Sequence, residues 1–245
     1  MRTMGKIYTD EVLRIAAGEV GYKEKATNAS LDSPTANAGS GNYTKYARDM
    51  WAAGFYNGNK QGYAWCAVFF DWCVYMASGE DAATAKKALC YTGPYGAGCA
   101  MSVTYYKEAG RFYTADPRPG DQIFFGTSNA SHTGMVEKVK DGKVYTIEGN
   151  ADNMVKRRSY ALDNSTIIGY GRPRYDGNVT PEPEDDFPFV DVPDGKYYTD
   201  AVKWAYDNGL VSGIDETHFG PKDPVKRCDL QVELKKLYDL IKGGG

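Results

Sequence analysis

Features that would indicate a nucleic-acid-binding or membrane-spanning protein are absent from this sequence. Lysine and arginine number 29 against 32 acidic residues, so the formal net charge is -3. Because nucleic-acid-binding modules usually carry a basic excess, this charge argues against a nucleic-acid partner. The longest apolar stretch, from Ala64 to Ala77, is interrupted by Asp71. It falls short of the roughly 20 residues that cross a bilayer, so we expect no membrane span.

A secretory leader is also missing from the start of the sequence. Residues Met1 to Tyr8 contain no apolar core of the kind found in signal peptides. We therefore expect either a leader that has been removed or export by a route other than the usual secretory one.

Cysteine and histidine are both scarce. The five cysteines are an odd number at irregular spacing, which is not the pattern of a disulfide scaffold. Cys90 and Cys99 flank a Gly-rich turn, and the sequence allows them to pair or to stay reduced. Of the two histidines, His132 lies in the same predicted domain as Cys66, and His218 lies in a C-terminal turn region where we expect it to be exposed.

A composition break divides the chain into two predicted domains. The run DGNVTPEPEDD combines glycine, alternating prolines and consecutive acids with almost no apolar residues, as linkers do. We predict a first domain over residues 1–175, a Pro/acid-rich linker over 176–186 and a small module over 187–245.

The order of secondary structure predicts an α+β fold for the first domain. Helical patterns come first and short strands follow, so N-terminal helices should pack on an antiparallel β-sheet. The C-terminal module shows two further helical patterns and should be mainly α-helical. The predicted helices are Thr9 to Val20, Tyr43 to Ala53, Trp65 to Ala77, Cys99 to Ala109, Tyr198 to Asn208 and Arg227 to Leu240; the predicted strands are Gln122 to Phe125, His132 to Val139, Val144 to Glu148 and Ile167 to Tyr170.

Cys66 is the candidate nucleophile. It begins a helix that is apolar on nearly every side, where unsatisfied backbone N–H groups stabilise a thiolate. His132 is the candidate base, because an imidazole beside the sulfur can take its proton. The backbone N–H of Cys66 is the natural oxyanion donor. A buried structural thiol is the alternative reading of Cys66, and Cys73, seven residues along the same helix, is more simply explained as core.

His132 needs a partner that orients its ring, and the candidates are Glu148 and Asn150 on the next strand. Being two residues apart, they share one face of that strand. A two-residue turn at Asp141 and Gly142 would place this face opposite to that of His132. We therefore predict a longer loop or a β-bulge in this hairpin.

Four stretches in a fixed order, GYAWCAVFFDWC, RPGDQIFF, SHTGMVEKV and YTIEGN, resemble the cysteine, histidine-dependent amidohydrolase/peptidase (CHAP) family, which has a papain-like fold and occurs in peptidoglycan hydrolases. The resemblance covers residues 8–175. It implies a cysteine-dependent amidase or endopeptidase without a cofactor, acting on bacterial peptidoglycan. The catalytic residues that it implies are Cys66, His132, Glu148 and Asn150.

The Asn/Ser/Gly-rich loop before Asn42 to Tyr46 is similar to lysins encoded by phages or prophages of Gram-positive bacteria. This resemblance implies an endolysin that reaches the extracellular cell wall through a phage pore. Some family members bind calcium through an acidic loop, but residues 28–42 offer only Asp32, so we predict no metal. Candidate substrate-binding residues are Trp65, Tyr63 and Tyr43, although core packing is the simpler role for most aromatic residues.

The C-terminal module resembles a single S-layer homology (SLH) repeat, on the motifs FVDV, AVKWA, NG and FGP. Such repeats attach proteins to secondary cell-wall polymers, commonly in sets of three. The usual threonine-arginine pair reads Lys226-Arg227 here, which keeps an arginine for an anion and loses the hydroxyl. Arg227 and Trp204 are the candidate polymer-binding residues, with self-association or a structural tail as alternatives.

Three functions remain open at this point. The first is hydrolysis of a wall amide, either as an N-acetylmuramoyl-L-alanine amidase or as a stem or cross-bridge endopeptidase. The second is a non-catalytic wall-binding adaptor anchored by the SLH-like module. The third is a transamidase, which differs from the hydrolase only in the acceptor that resolves the thioester.

Overall fold

The computed structural model describes residues 5–93, 95–178, 187–193 and 195–243. Contacts divide the chain into two compact units, residues 1–180 and 181–245. Of the predicted linker, residues 179–186 lie outside the described residues. Residues 176–178 pair with the start of the chain: the backbone N–H groups of Thr9 and Asp10 donate to the carbonyls of Gly177 and Asn178. The beginning of the predicted linker is therefore packed against the first unit.

The first unit confirms the predicted α+β class. Its five helices are α1 (Thr9–Gly18), α2 (Lys45–Ala52), α3 (Cys66–Ala77), α4 (Ala82–Ala88) and α5 (Cys99–Glu108). Its strands are β1 (Phe112–Tyr113), β2 (Gln122–Gly126), β3 (Ala130–Lys140), β4 (Lys143–Ala151), β5 (Met154–Ala161) and β6 (Ile167–Gly171). They form one sheet in the order β1-β6-β2-β3-β4-β5, and all the pairs between neighbouring strands are antiparallel.

Helix α3 is the central element of this unit. Eleven of its 12 residues are buried, because the helix is covered by α1, α2 and α4 and also packs on β3 and β4. The one charged residue of α3, Asp71, is completely buried and accepts hydrogen bonds from the hydroxyls of Tyr56 and Tyr91. Burial raises the pKa of Asp71 to about 7. The sequence predicted this helix over Trp65 to Ala77, and its observed start at Cys66 agrees to within one residue.

Helix α4 and strands β1 and β5 were not predicted from the sequence. Strand β5 carries Lys156, Arg157 and Arg158 in succession, which conceals the period of two that marks a strand. It lies at the edge of the sheet, where charged side chains are common because they discourage pairing with another chain. Its pairing with β4 brings β5 side chains to the region of Glu148.

The β3-β4 hairpin has a two-residue turn and a β-bulge. Lys140 pairs with Lys143, and both turn residues, Asp141 and Gly142, have positive φ angles of 51° and 71°. This is the conformation of a type I′ turn. The register then shifts between Val136 and Lys138, which is the bulge predicted as one of the two alternatives. The other alternative, a longer loop, is wrong.

The bulge puts the predicted catalytic side chains on one face. Beyond it, Met135 pairs with Ile147, and this register continued places Gly134 opposite Glu148. A Cβ atom added at Gly134 would lie 2.5 Å from Cγ of Glu148, so the glutamate side chain occupies the space above this glycine. His132 is two residues away on the same strand and therefore shares that face.

The second unit contains two helices, α6 (Thr199–Asp207) and α7 (Arg227–Gly243). Its small core consists of Phe189, Val192 and Val202 with partly buried aromatic residues around them. The carboxylate of Asp191 accepts hydrogen bonds from the backbone N–H groups of Phe219 and Gly220 at 2.8 and 2.9 Å. These bonds join the segment before α6 to the segment between α6 and α7. The two helices α6 and α7 confirm the predicted helical C-terminal region.

Among the residues that the structure describes, none of the helices combines the length and the apolar character needed to cross a membrane.

Candidate active site

The sulfur of Cys66 lies at the N-terminus of α3. The first hydrogen bond of the helix runs from the N–H of Phe69 to the carbonyl of Trp65 at 2.9 Å. The N–H of Cys66 precedes this bonded ladder, and its role as the oxyanion donor stays a prediction. Cys66 is 6% exposed, which makes its sulfur buried but not sealed.

His132 on β3 contacts the Cys66 thiol through its imidazole ring. The Nε2 atom of the ring lies 2.9 Å from Oε2 of Glu148. Because Nε2 is occupied by the carboxylate, Nδ1 is the ring atom that serves the sulfur. On the neighbouring strand β2, Phe125 pairs with His132 and stacks on its ring at a centroid distance of 5.9 Å. The ring is therefore fixed from two sides.

Glu148 is completely buried, and its carboxylate is held by three partners. Besides His132 at Oε2, the hydroxyls of Thr146 and Tyr160 donate to Oε1 at 2.6 and 2.9 Å. The Nε atom of Arg158 lies 4.0 Å from Oε2. Such a buried carboxylate is stable only when hydrogen bonds replace its hydration, and here they also fix its direction.

Two of these partners were not found by the sequence analysis. Thr146 is two residues before Glu148 on the same strand, so the period of two was a usable signal. Tyr160 and Arg158 lie on β5, the strand that was missed. Burial, followed by the nearby carboxylate of Glu148, raises the pKa of Tyr160 to about 12, which keeps its hydroxyl protonated as a donor.

Asn150 lies two residues beyond Glu148, near the end of β4. Its orienting role stays a prediction. Asn150 has a φ of +56° at a register shift in β4, and its side chain makes no hydrogen bond within the described part of the chain. It is half-exposed at the end of the strand. The structure thus brings together three of the four predicted catalytic residues.

A second thiol, which the sequence analysis did not connect with the site, lies against the nucleophile. Sγ of Cys99, the first residue of α5, is 3.6 Å from Sγ of Cys66. All five cysteines are free, and the sulfur of Cys90 faces the carbonyl of Ala88 instead. Of the two states that the sequence allows for Cys90 and Cys99, the structure has the reduced one. A contact across 33 residues leaves no signal in sequence spacing.

The electrostatics of the site favour a thiolate-imidazolium pair. The pKa of the Cys66 thiol is well below its usual range, mainly because Cys99 donates a hydrogen bond to it, with His132 and the backbone of Thr133 acting in the same direction against burial. Burial alone would lower the pKa of His132, but hydrogen bonds with Cys66 and Glu148 outweigh it and raise this pKa to about 9. The pKa of Cys99 is raised, because its proton is held by the neighbouring sulfur.

Comparison with known protein families agrees with this geometry. Residues 58–150 match the model of the CHAP domain, a segment that includes Cys66, His132 and Glu148. Residues 188–229 match the model of the S-layer homology domain. The chain carries a CHAP domain followed by an SLH domain. A CHAP domain implies a peptidoglycan amidase or peptidase and is typically a cysteine-dependent hydrolase, and the two domains together indicate a location at the cell wall.

Among solved structures there are distant matches. The first is titled "The crystal structure of Ly7917", with 15% sequence identity and a TM-score of 0.41; the match covers 68% of this chain and 62% of that one. The second is titled "The crystal structure of Ly7917 with the hydrolyzing product of MDP", with 17% identity and a TM-score of 0.38, covering 67% and 62% of the two chains. The chain thus spans less than two thirds of both structures. No curated protein matches it.

Of the predicted substrate-binding residues of the CHAP domain, Trp65 is completely buried. Its indole Nε1 donates to Oε2 of Glu24 at 2.7 Å, and Oε1 of this carboxylate accepts the backbone N–H of Asn42. Trp65 therefore presents no surface to a substrate. Trp65 directly precedes Cys66, so its hydrogen bond to the buried Glu24 fixes the position of the backbone where α3 begins.

Tyr63 is the predicted residue most open to a ligand, with 66% of its surface exposed. It borders a pocket of about 330 Å³ whose wall also contains Ala64, Gly98 and Met101. Lys60 adds a positive charge to the wall. Tyr43 is half-buried, and its carbonyl accepts the N–H of Lys25.

Asp32, the single acidic residue of the loop over residues 28–42, is engaged in an ion pair. Asp32 forms a two-pronged ion pair with Arg48, with both N–O distances at 2.7 Å. Among the described residues, no group of three or more Asp, Glu, His or Cys is arranged to hold a metal ion.

In the SLH domain, both predicted polymer-binding residues reach solvent. Arg227 is exposed at the first position of α7, and Trp204 on α6 is 52% exposed. His218 is half-exposed and lies beside Asp215 and Thr217, so the expected exposed loop position is confirmed.

Proposed function

We propose that this protein is a peptidoglycan hydrolase that cleaves an amide bond of the cell wall through a thioester on Cys66. The observation that carries the proposal is the continuous chain of contacts from the Cys66 sulfur through the imidazole of His132 to the buried carboxylate of Glu148. A buried thiol alone would need neither an imidazole nor a carboxylate behind it. The arrangement has the three parts of a nucleophile, a base and an orienting acid.

In the first half of the reaction the thiolate of Cys66 attacks the amide carbon. The resulting oxyanion accepts the backbone N–H of Cys66. The His132 imidazolium gives its Nδ1 proton to the leaving nitrogen, which breaks the C–N bond and leaves the acyl group on sulfur. Glu148 keeps Nε2–H in place and offsets the positive charge of the ring while the proton is held.

In the second half the neutral His132 removes a proton from water, and the hydroxide formed attacks the thioester. The C–S bond breaks, the acid product leaves, and the ring again carries the proton beside a thiolate. The half-exposed setting of the ring, whose side chain is 29% exposed, allows water to reach it. Glu148 lies behind the ring with no exposed surface, so it acts through His132 rather than on the substrate.

Digestion of purified Gram-positive walls, followed by mass spectrometry of the released fragments, tests the proposal and identifies the bond. An amidase releases peptides with a free N-terminal alanine, whereas an endopeptidase cuts within the stem or cross-bridge. Walls that stay turbid under reducing conditions would contradict hydrolysis and favour a wall-binding adaptor. Appearance of a new amide with an added amine acceptor, instead of a free carboxylate, would favour a transamidase.

The rate of wall digestion should follow a bell-shaped pH profile. The alkaline limb is expected near pH 9, because raising the pH removes the proton from His132. The acid limb is expected well below the usual thiol range, because lowering the pH protonates the Cys66 thiolate. Both limbs belong to the coupled pair rather than to either residue. A limb near the ordinary imidazole value of about 6.5 in kcat/KM would contradict the ion pair.

Glu148→Gln should reduce the rate less than loss of the imidazole does. Thr146 and Tyr160 contribute hydroxyls that can accept as well as donate, so the new amide can turn its oxygen towards Nε2–H of His132. The ring stays oriented, but no negative charge offsets its proton. We expect the alkaline limb to move to lower pH, measured as kcat/KM against pH. An unmoved limb would show that the Glu148 charge does not support the imidazolium.

We further propose that the SLH domain holds the enzyme on a secondary cell-wall polymer, with the Arg227 guanidinium meeting an anionic group and Trp204 packing on a sugar. Arg227→Gln and Trp204→Ala should weaken sedimentation of the protein with intact walls. Release through a phage-encoded pore, as an endolysin, stays a prediction of the sequence resemblance. It is tested by co-expression with and without such a pore.

A further inference from the structure

Two cysteine sulfurs meet at the centre of the candidate site, although one is enough for a thioester mechanism. Cys66 begins α3 and Cys99 begins α5, so the starts of two helices are directed at the same point. The Sγ atoms are 3.6 Å apart, in van der Waals contact, and both residues are buried in one apolar cluster.

We propose that Cys99 is the partner thiol of Cys66: it donates its S–H to the thiolate in the active enzyme, and it captures Cys66 as a reversible disulfide when a hydroperoxide oxidises the nucleophile. The inference rests on the proposed function in taking Cys66 as the reactive thiolate. Its main readout, however, is a covalent bond that forms whether or not walls are hydrolysed.

The first role follows from which sulfur is charged. Cys66 interacts with the imidazolium of His132 and with the backbone of Thr133, so the negative charge resides on Cys66 and Cys99 keeps the proton. A thiol is a weak donor, but a bond to a charged acceptor in a buried site is stronger than one between neutral groups. Cys99 is therefore a positioning residue, which acts on the nucleophile and not on the substrate.

The second role follows from the chemistry of a thiolate beside a thiol. The Cys66 thiolate attacks one oxygen of the hydroperoxide, the O–O bond breaks, and the leaving alkoxide or hydroxide takes the Nδ1 proton of His132. Cys66 is then a sulfenic acid, oxidised by two electrons. The Cys99 sulfur attacks it, an S–S bond forms, and the hydroxyl leaves with the thiol proton as water. A dithiol reductant reverses the bond and restores both thiols.

Both members of this pair keep a small exposed fraction, 6% for Cys66 and 9% for Cys99. A small oxidant is therefore expected to reach them. The sulfurs need to approach only to the bonding distance of about 2 Å, from contact. Within the described part of the chain, the other buried thiols have no such partner: Cys73 lies in the interior of α3, and Cys90 faces a backbone carbonyl.

Three variants of the full chain separate the two roles. Cys99→Ser keeps a hydrogen-bond donor but cannot form the disulfide, whereas Cys99→Ala loses both. Cys90→Ser is the matched control, because this thiol lies in the same buried cluster and does not touch Cys66. Each protein is treated with hydrogen peroxide, digested and analysed by mass spectrometry before and after dithiothreitol, alongside the lytic rate.

If the disulfide forms, the mass of wild type and of Cys90→Ser should fall by that of two hydrogen atoms, and digestion should yield a peptide that links Cys66 to Cys99. Dithiothreitol should restore the original mass and both free thiols. Cys99→Ser and Cys99→Ala should instead gain two or three oxygen atoms on Cys66, which dithiothreitol does not remove. Wild-type protein that gains oxygen without a linked peptide would overturn this role. Equal recovery of wild type and Cys99→Ser would do the same.

For the hydrogen bond, the pH dependence of Cys66 alkylation by iodoacetamide measures the thiolate directly. Cys99→Ala should raise the apparent pKa of Cys66 by about one pH unit, the equivalent of one hydrogen bond to a charged group. Cys99→Ser should restore most of this shift, which a purely structural role for Cys99 would not require. An unchanged pKa in Cys99→Ala would overturn the positioning role. Failure of wall digestion with a linked peptide still formed would count against the proposed function alone.

Discussion

Replacing Cys66 by serine is expected to reduce wall digestion to background, a loss of about 10⁴-fold or more, as when a member of a catalytic triad is removed. The change substitutes oxygen for sulfur at constant shape, so the packing of α3 and its neighbours should be kept. The site is tuned to a thiolate: its donors lower the pKa of a thiol, and a hydroxyl starts from a far higher value. Release of soluble wall peptides measures the loss.

The matched control is Cys228→Ser, which changes an exposed cysteine of the SLH domain. It should digest walls at the wild-type rate. Thermal unfolding of Cys66→Ser should show a folded protein, which separates loss of chemistry from loss of structure. Substantial activity in a well-folded Cys66→Ser protein would assign the nucleophile to another residue.

Replacing His132 by alanine is expected to lower the rate by about 10²- to 10⁴-fold, the range of a positioned acid-base group. The thiolate loses its counterion and the leaving nitrogen loses its proton donor. The change also removes one partner of the buried Glu148 carboxylate, while Thr146 and Tyr160 remain. Some loss of stability, about 1–3 kcal/mol, should accompany the loss of rate.

A second variant, His132→Gln, separates these effects. Its amide can still donate to Glu148 but cannot carry a proton between sulfur and substrate. It should therefore be more stable than His132→Ala and no more active, by thermal unfolding and by peptide release. The control is His218→Ala, which removes the other histidine of the chain and should leave the rate unchanged. An active His132→Gln protein would show that the ring is not the proton carrier.

Local patterns were enough to predict the helix that begins at the candidate nucleophile and the strand that carries the candidate base. The apolar run after Trp65 predicted α3 and its start, because a buried helix needs apolar side chains on all faces. The length of the turn at Asp141 and Gly142 determines which face of the sheet Glu148 occupies. With two residues in the turn, Glu148 shares a face with His132 only if a bulge is added. The structure has both, with the register shift at Glu137.

Contacts between distant segments were not predictable from these patterns. Tyr160 lies on an edge strand whose charges obscure its alternation, so its bond to Glu148 was missed. Glu24 and Trp65 are 41 residues apart, and a carboxylate in a polar N-terminal loop gives no sign that it is buried. The substrate-binding role that the sequence predicts for Trp65 does not take this buried contact into account. The Cys66-Cys99 contact depends on how α3 and α5 are placed in three dimensions, which spacing does not determine.

The hydrogen bond between Nε2 of His132 and the fully enclosed carboxylate of Glu148 gives the protein a natural spectroscopic label. Nε2 lies 2.9 Å from Oε2 of this buried carboxylate, and the ring proton between them is expected to resonate far downfield of the amide region in a proton NMR spectrum. The chain has only one other imidazole, and that ring is half-exposed, so the resonance identifies itself without isotopic assignment. Inhibitors, mutations and acyl intermediates can thus be followed at the working ring in the intact molecule.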